Sequence, residues 1–138
     1  MNTQKVTWPD NYPDKCPPVC AVNVSGKVIR LTNRSNPKSK DFCSYYEQNP
    51  NHNWGEQSCQ ARGLSVYTSE EEYKYAISVV PALKRKKVCI AELSPKDGVI
   101  ASTPSTNNPR HKTYWPLLSN EQLSEIFKPL NFEEVVNA

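Results

Sequence analysis

The sequence lacks a long apolar run and contains little glycine. Its 138 residues include 4 glycines, 3 phenylalanines and 1 methionine, whereas proline occurs 12 times. No segment approaches the roughly 18 consecutive apolar residues of a membrane-spanning helix, so we expect no membrane contact. Because proline fixes the backbone and ends helices, its abundance predicts stiff loops and short helices.

A strong charge of either sign is also absent. Lysine and arginine number 17, aspartate and glutamate number 14, and the net charge is +3. Domains dedicated to nucleic acid usually present a strongly basic face, so we do not expect a nucleic-acid partner. One basic run, 84–87, follows Pro81 and predicts a charged turn before a strand. Contact with phosphate or nucleic acid is the alternative interpretation of this run.

The cysteines allow two interpretations. Residues 1–14 carry no apolar run and predict no secretory signal, so the expected location is the cytoplasm. In that compartment we expect the 5 cysteines to be reduced, with Cys43, Cys59 and Cys89 as small core residues. The alternative is a zinc site formed by Cys16, Cys20, Cys43 and Cys59, because the spacing of the first pair suits a zinc knuckle.

The length fits a single domain preceded by a short arm. Residues 1–20 contain Pro9, Pro13, Pro17 and Pro18, which predict an extended N-terminal arm. Trp8 and Tyr12, which directly precede Pro9 and Pro13, are expected to anchor the arm to the domain. Residues 21–138 form the predicted globular domain.

Hydrophobic periodicity predicts an α+β fold. Helices are expected over 41–47, over 56–62, between Ser69 and Pro81, and from Ser119 to Leu130. Alternating or continuous apolar runs predict strands over 28–32, 64–68, 88–93, 99–101 and 111–115. Helices and strands do not alternate regularly, so we predict a small, mostly antiparallel sheet of four to five short strands with two to four helices.

The first candidate site combines an arginine with hydroxyl side chains. Arg30 lies in the middle of an alternating strand, and a buried arginine needs an anionic partner because it stays charged. Glu92, the lone acid in an apolar strand, is the predicted partner. Ser65 and Tyr67 share a face of the next strand, and Thr68 follows at the start of a helix. The alternative is a structural Arg–Glu pair beside ordinary helix-capping hydroxyls.

A second stretch of candidate residues lies near the end of the domain. His111 and Tyr114 belong to a segment that joins a polar loop to aromatic residues. Functional side chains are common on loops held by a rigid scaffold, so both residues are catalytic candidates. Tyr114 is alternatively a large core residue.

These segments are similar to a family of small uncharacterised bacterial proteins over about residues 8–116. The resemblance is carried by CPP at 16–18, VIRL at 28–31, DF at 41–42, GLSVY at 63–67 and HKTYWP at 111–116. It identifies relatives and implies no particular activity.

The order of the candidate residues also resembles ADP-ribosyltransferase-like domains. Arg30 matches the arginine of their first strand, Ser65, Tyr67 and Thr68 match the strand that leads into a helix, and Glu92 or His111 takes the third position. The resemblance implies catalytic roles for Arg30, Ser65, Tyr67 and Glu92 or His111, and binding of NAD by Arg30, Tyr67 and Thr68. The reaction implied is cleavage of the nicotinamide bond through an oxocarbenium-like state, as in glycoside cleavage.

Two functions are therefore predicted. The first is a small accessory or protein-interaction domain whose partner is another protein or a second copy of the chain, based on the aromatic arm and the segment 111–116. The alternative is an NAD-dependent ADP-ribosyltransferase-like enzyme or toxin.

Overall fold

A computed structural model describes residues 7–130 and confirms the α+β class. Its helices are α1 (Tyr45–Gln48), α2 (Ser58–Arg62), α3 (Glu70–Val79) and α4 (Asn120–Ile126). Its strands are β1 (Val22–Asn23), β2 (Gly26–Thr32), β3 (Leu64–Val66), β4 (Lys87–Leu93), β5 (Gly98–Ser102), β6 (Lys112–Pro116) and β7 (Lys128–Pro129). None of the helices between residues 7 and 130 is long and apolar enough to cross a membrane.

The strands form two antiparallel sheets instead of the one expected. The first has the order β1-β5-β6-β3 and the second the order β2-β4-β7. They meet at one bridge, where Ile29 and Tyr67 exchange two backbone hydrogen bonds of 2.7 and 2.8 Å. We call this bridge the seam, and it brings the middle of β2 beside the end of β3.

Two local predictions differ from the structure. The segment 41–47 divides into a 3-10 turn, Ser39–Phe42, and the separate helix α1, whose N-cap is Ser44. The last helix ends at Ile126, and the chain then extends as β7 along β4. β1 and β7 are two residues long, too short for a periodic pattern to reveal.

Helix α3 begins where the sequence predicts. The Ser69 side chain accepts a hydrogen bond from the Glu72 backbone, while the Glu72 carboxylate accepts bonds from the backbone and the hydroxyl of Thr68. Acidic residues in the first turn also suit the positive end of the helix dipole. The buried face of α3, Tyr73 and Ala76, packs against the seam.

The register of β2 on β4 separates two cores. Arg30 lies opposite Cys89 on the face that contacts the larger core, whose buried members include Phe42 and Phe127. Ile29 lies opposite Ile90 on the other face, which α3 covers. Both faces of this short sheet are therefore buried. A polar residue on the same face as Arg30 has to find its hydrogen-bond partners inside the domain.

The arm is fastened to α2 by a disulfide bond, which corrects the expectation of reduced cysteines. Cys16 and Cys59 are bonded to each other, while Cys20, Cys43 and Cys89 are free. Trp8 stacks on Tyr12 at 5.6 Å between ring centroids, and both rings pack around the disulfide. Disulfides are typical of oxidising compartments, so the cysteines no longer support the predicted cytoplasmic location.

Candidate functional site

A cavity of about 390 Å³ opens beside the seam. Arg30 and Tyr67 enter it from the two strands that form the seam, and Ser65 and His111 enter it from β3 and from the residue before β6. Four of the predicted site residues therefore share one cavity. The other charged residues of its wall are Lys40, Lys86 and Asp41.

The Arg30 guanidinium is held by backbone carbonyl groups. Its Nε and Nη2 donate to the Asp41 carbonyl at 3.1 and 2.9 Å, and Nη1 donates to the Ser65 carbonyl at 2.9 Å. Burial lowers the pKa of Arg30, but arginine remains protonated in proteins. No carboxylate within residues 7–130 is hydrogen-bonded to it, and two of its five N–H groups are left without a protein partner.

Asp41 shapes the same wall but has its own partners. Its buried carboxylate accepts backbone hydrogen bonds from Asn33 and Lys38 and a salt bridge of 3.2 Å from Arg34. Burial by itself would raise the pKa of Asp41, but these bonds outweigh it and hold the pKa below its ordinary value. Because the carboxylate is occupied, the charge of Arg30 remains available to a ligand.

Ser65 and His111 form a hydroxyl–imidazole pair. The distance from Ser65 Oγ to His111 Nε2 is 2.8 Å, and His111 Nδ1 lies 3.1 Å from the carbonyl oxygen of Thr103. A carbonyl can only accept, whereas the Thr103 hydroxyl, 2.9 Å from the same Nδ1, can donate or accept. A proton on Nδ1 is compatible with both contacts, and this tautomer leaves Nε2 as the acceptor for the serine hydroxyl. Burial lowers the pKa of His111, against the opposing effect of the Thr103 bond. The imidazole is therefore a neutral base at pH 7.

A second chamber of about 270 Å³ lies on the other side of this pair. Ser65, His111 and Tyr45 line both spaces. The ring of Trp54 stands 6.3 Å from that of Tyr45, and its indole nitrogen is buried without a hydrogen-bond partner among the described residues. The site thus has a cationic chamber and an aromatic chamber on either side of a polar pair.

Three predicted site residues lie elsewhere. Glu92 is exposed opposite Lys27, on the face of the sheet away from Arg30, so their predicted partnership is wrong. Tyr114 is fully buried and donates from its hydroxyl to the Asp97 carbonyl at 2.7 Å, as expected of a core residue. Thr68 is exposed and binds Glu72 at the start of α3. It is therefore a helix-capping hydroxyl, as the alternative interpretation predicted.

The four cysteines of the alternative zinc site do not form one group. Cys16 and Cys59 are joined in the disulfide, and Cys43 faces the Arg30 cavity. Within the described part of the chain, no three His, Cys, Asp or Glu side chains converge as metal ligands would.

Sequence reasoning missed Tyr45, Trp54, Thr103 and Asp41 as site residues. Trp54 and Thr103 lie in loops, where no periodicity indicates which way a side chain points, and Tyr45 begins the four-residue helix α1. Asp41 begins the predicted helix 41–47, and its contact with Arg30 runs through the backbone carbonyl, which no side-chain pattern indicates.

The chain was compared with protein-family models, curated proteins and solved structures, and none of them matches it. The function must therefore be argued from the geometry of the site.

Proposed function

We propose that this domain is an NAD-using transferase of the ADP-ribosyl-transfer class. The observation that carries the proposal is the Arg30 guanidinium, fixed by two carbonyl groups in a cavity wall with two N–H groups left for an anion. A buried cation without a carboxylate partner is a costly arrangement, and a bound phosphate would compensate for it. Arginine is also the side chain best suited to bidentate phosphate binding.

The two chambers suit the two kinds of group in NAD. The first, of about 390 Å³, is within the range of small-molecule sites, and the second adds about 270 Å³ next to it. Arg30 and Lys86 bind the diphosphate in the cationic chamber, and the nicotinamide ring packs against the Tyr45–Trp54 pair in the aromatic chamber. The unpartnered indole N–H of Trp54 is a donor for the carboxamide after a small side-chain adjustment.

The residues between the chambers handle the proton. Bound NAD supplies an ADP-ribosyl group, which forms a bond to the acceptor as the bond to nicotinamide breaks and nicotinamide leaves with the electron pair. His111 Nε2 takes the proton of the acceptor, directly or through Ser65 Oγ. The Thr103 carbonyl keeps the imidazole in the required tautomer. With Glu92 on the outer face, His111 is the residue that fills the third position of the resemblance.

Thermal unfolding with and without NAD tests the proposal. NAD at about 100 times its dissociation constant should stabilise the fold by about 2.7 kcal/mol, a shift of several degrees. We expect Arg30→Lys, which keeps the charge but loses the planar fork, to abolish most of the shift. The matched control Arg85→Lys alters an exposed arginine outside the cavity and should retain it.

A second variant separates binding from chemistry. Ser65→Ala removes the hydroxyl bonded to His111 but leaves Arg30 and its backbone contacts in place. It should bind NAD normally and release nicotinamide at least tenfold more slowly. A folded wild-type protein that shows no thermal shift with millimolar NAD would refute the proposal.

An interaction role is the second candidate. Val19 and Val22 are the most exposed large apolar side chains of the described residues, at 104% and 63% of full exposure. Both lie near the edge strand β1, which could contact another protein or a second copy of the chain. Sedimentation equilibrium with the wild type and with Val19→Ser/Val22→Ser tests self-association, and a monomer at every concentration would remove the homodimer.

A further inference from the structure

The basic run 84–87 borders the Arg30 cavity through Lys86, and we call this border the mouth of the cavity. The 3-10 turn Pro81–Arg85 supplies Leu83 to the cavity wall, and Lys86 follows it into the same wall. Lys86 is fixed there by a bond of 2.6 Å to the Asn33 side chain, while Lys84 and Arg85 are exposed beside it. The sequence predicted a charged turn at this position, with contact to phosphate or nucleic acid as the alternative.

The cations at the mouth are not matched by acids. Lys40 and Lys86 belong to the cavity wall together with Arg30, and Asp41 is its single carboxylate. That carboxylate is 1% exposed and already paired with Arg34. A net charge of +3 for the chain therefore hides a local concentration of positive charge at this mouth.

One aromatic side chain of the same cavity wall is exposed to solvent. Tyr45 is 60% exposed and is the only aromatic residue among the exposed large apolar side chains of residues 7–130. It begins α1, where the Ser44 capping bonds hold the backbone in place. An exposed aromatic ring next to a row of cations is the arrangement that binds single-stranded nucleic acid, because bases stack on the ring while phosphates contact the cations.

We propose that the acceptor of the transfer is a single-stranded nucleic acid, bound at the mouth by Lys84, Arg85, Lys40 and Tyr45. The identity of the acceptor rests on the proposed function, but the binding itself does not. Strand binding places a nucleotide over the Ser65–His111 pair, where the imidazole can receive its proton.

Fluorescence anisotropy with fluorescein-labelled 20-residue oligouridylate and oligothymidylate tests the binding. The variant Lys84→Gln/Arg85→Gln removes two exposed cations that do not line the cavity. Its matched control is Lys27→Gln/Lys96→Gln, which removes the same charge near the opposite end of the β2–β4 pair, about 20 Å away.

We expect the first variant to bind at least tenfold more weakly at 50 mM salt and the control to bind like the wild type. A plot of log affinity against log salt concentration has a negative slope. Each lost phosphate contact should make that slope less steep by about 0.7. Tyr45→Ala should weaken binding by about tenfold, and Tyr45→Trp should restore it. Equal losses in the two charge variants, or no effect of Tyr45→Ala, would show general polyanion attraction and overturn the inference.

The NAD measurement distinguishes failure of this inference from failure of the proposed function. Lys84→Gln/Arg85→Gln should retain the full thermal shift with NAD, because neither side chain lines the cavity. An NAD shift without oligonucleotide binding leaves the transferase proposal standing and removes the nucleic acid. Oligonucleotide binding without an NAD shift leaves the nucleic-acid binding standing and removes the transferase proposal.

Discussion

At the scale of single residues, His111 connects the protonation state of the site to the stability of the fold. Burial lowers its pKa, so the folded protein holds the imidazole neutral while the unfolded chain takes up a proton near pH 6.5. The stabilisation is fully present above the unfolded pKa and is lost as pH falls through it towards the lower folded value.

We therefore expect the free energy of unfolding, measured with urea, to decrease between pH 7.5 and pH 5.5. His111→Gln cannot titrate and should remove most of this decrease, whereas His52→Gln, at an exposed position, should leave it in place. Identical pH dependence in the wild type and in His111→Gln would contradict the assignment of a neutral buried imidazole.

The sequence predicted which residue types the site contains better than it predicted their partners. Alternation put Arg30 on the opposite face of its strand from Ile29 and Leu31, and it put Ser65 and Tyr67 on one face of the next strand. The predicted Arg30–Glu92 pair was wrong because the β2–β4 register puts Glu92 on the opposite face. Register between strands depends on contacts that are distant in sequence, and no local pattern reports it.

At the scale of elements, the arm is held by a covalent bond that the sequence argument did not anticipate. Cys16 and Cys59 are 43 residues apart, and closing a loop of this length stabilises a fold by about 3 to 4 kcal/mol in the chain-entropy account. The expectation of reduced cysteines rested on the predicted cytoplasmic location, which the sequence supported only through the lack of an apolar run in residues 1–14.

The variant Cys16→Ala/Cys59→Ala should lose about 3 kcal/mol of unfolding free energy in urea. Cys20→Ala, which removes an exposed free thiol, should lose less than about 0.5 kcal/mol. Thiol counting by mass spectrometry on the unreduced protein should find three free cysteines. Five free thiols in protein that is equally stable with and without reductant would contradict the disulfide.

At the scale of the whole molecule, the site depends on how the two sheets and α4 pack. The α+β class, the short strands and helix α3 were predictable because each has its own periodicity or capping residues. The division into two sheets was not predictable. The sheets meet at a single residue pair, Ile29 and Tyr67, and no periodic pattern reveals a pairing of that length. The cavity follows from that division, so its lining could be predicted only for residues that lie on the seam strands.

Packing between α4 and the Arg30 wall should therefore control ligand affinity from a distance. Phe127 lies 5.2 Å from Phe42 between ring centroids, and Phe42 in turn lies 5.8 Å below the Arg30 guanidinium. Phe127→Leu should cost about 1.5 kcal/mol of stability and, by loosening Phe42, should weaken NAD binding severalfold at 15 °C.

The matched control is Ile77→Val, which should cost about 1 kcal/mol in the separate core under α3 and leave NAD affinity unchanged. Isothermal titration calorimetry on both folded variants makes the comparison. Equal affinities in the two variants would show that Arg30 is positioned by its carbonyl contacts alone. A selective loss in Phe127→Leu would show that the larger core, and not only the seam, sets the geometry of the cationic chamber.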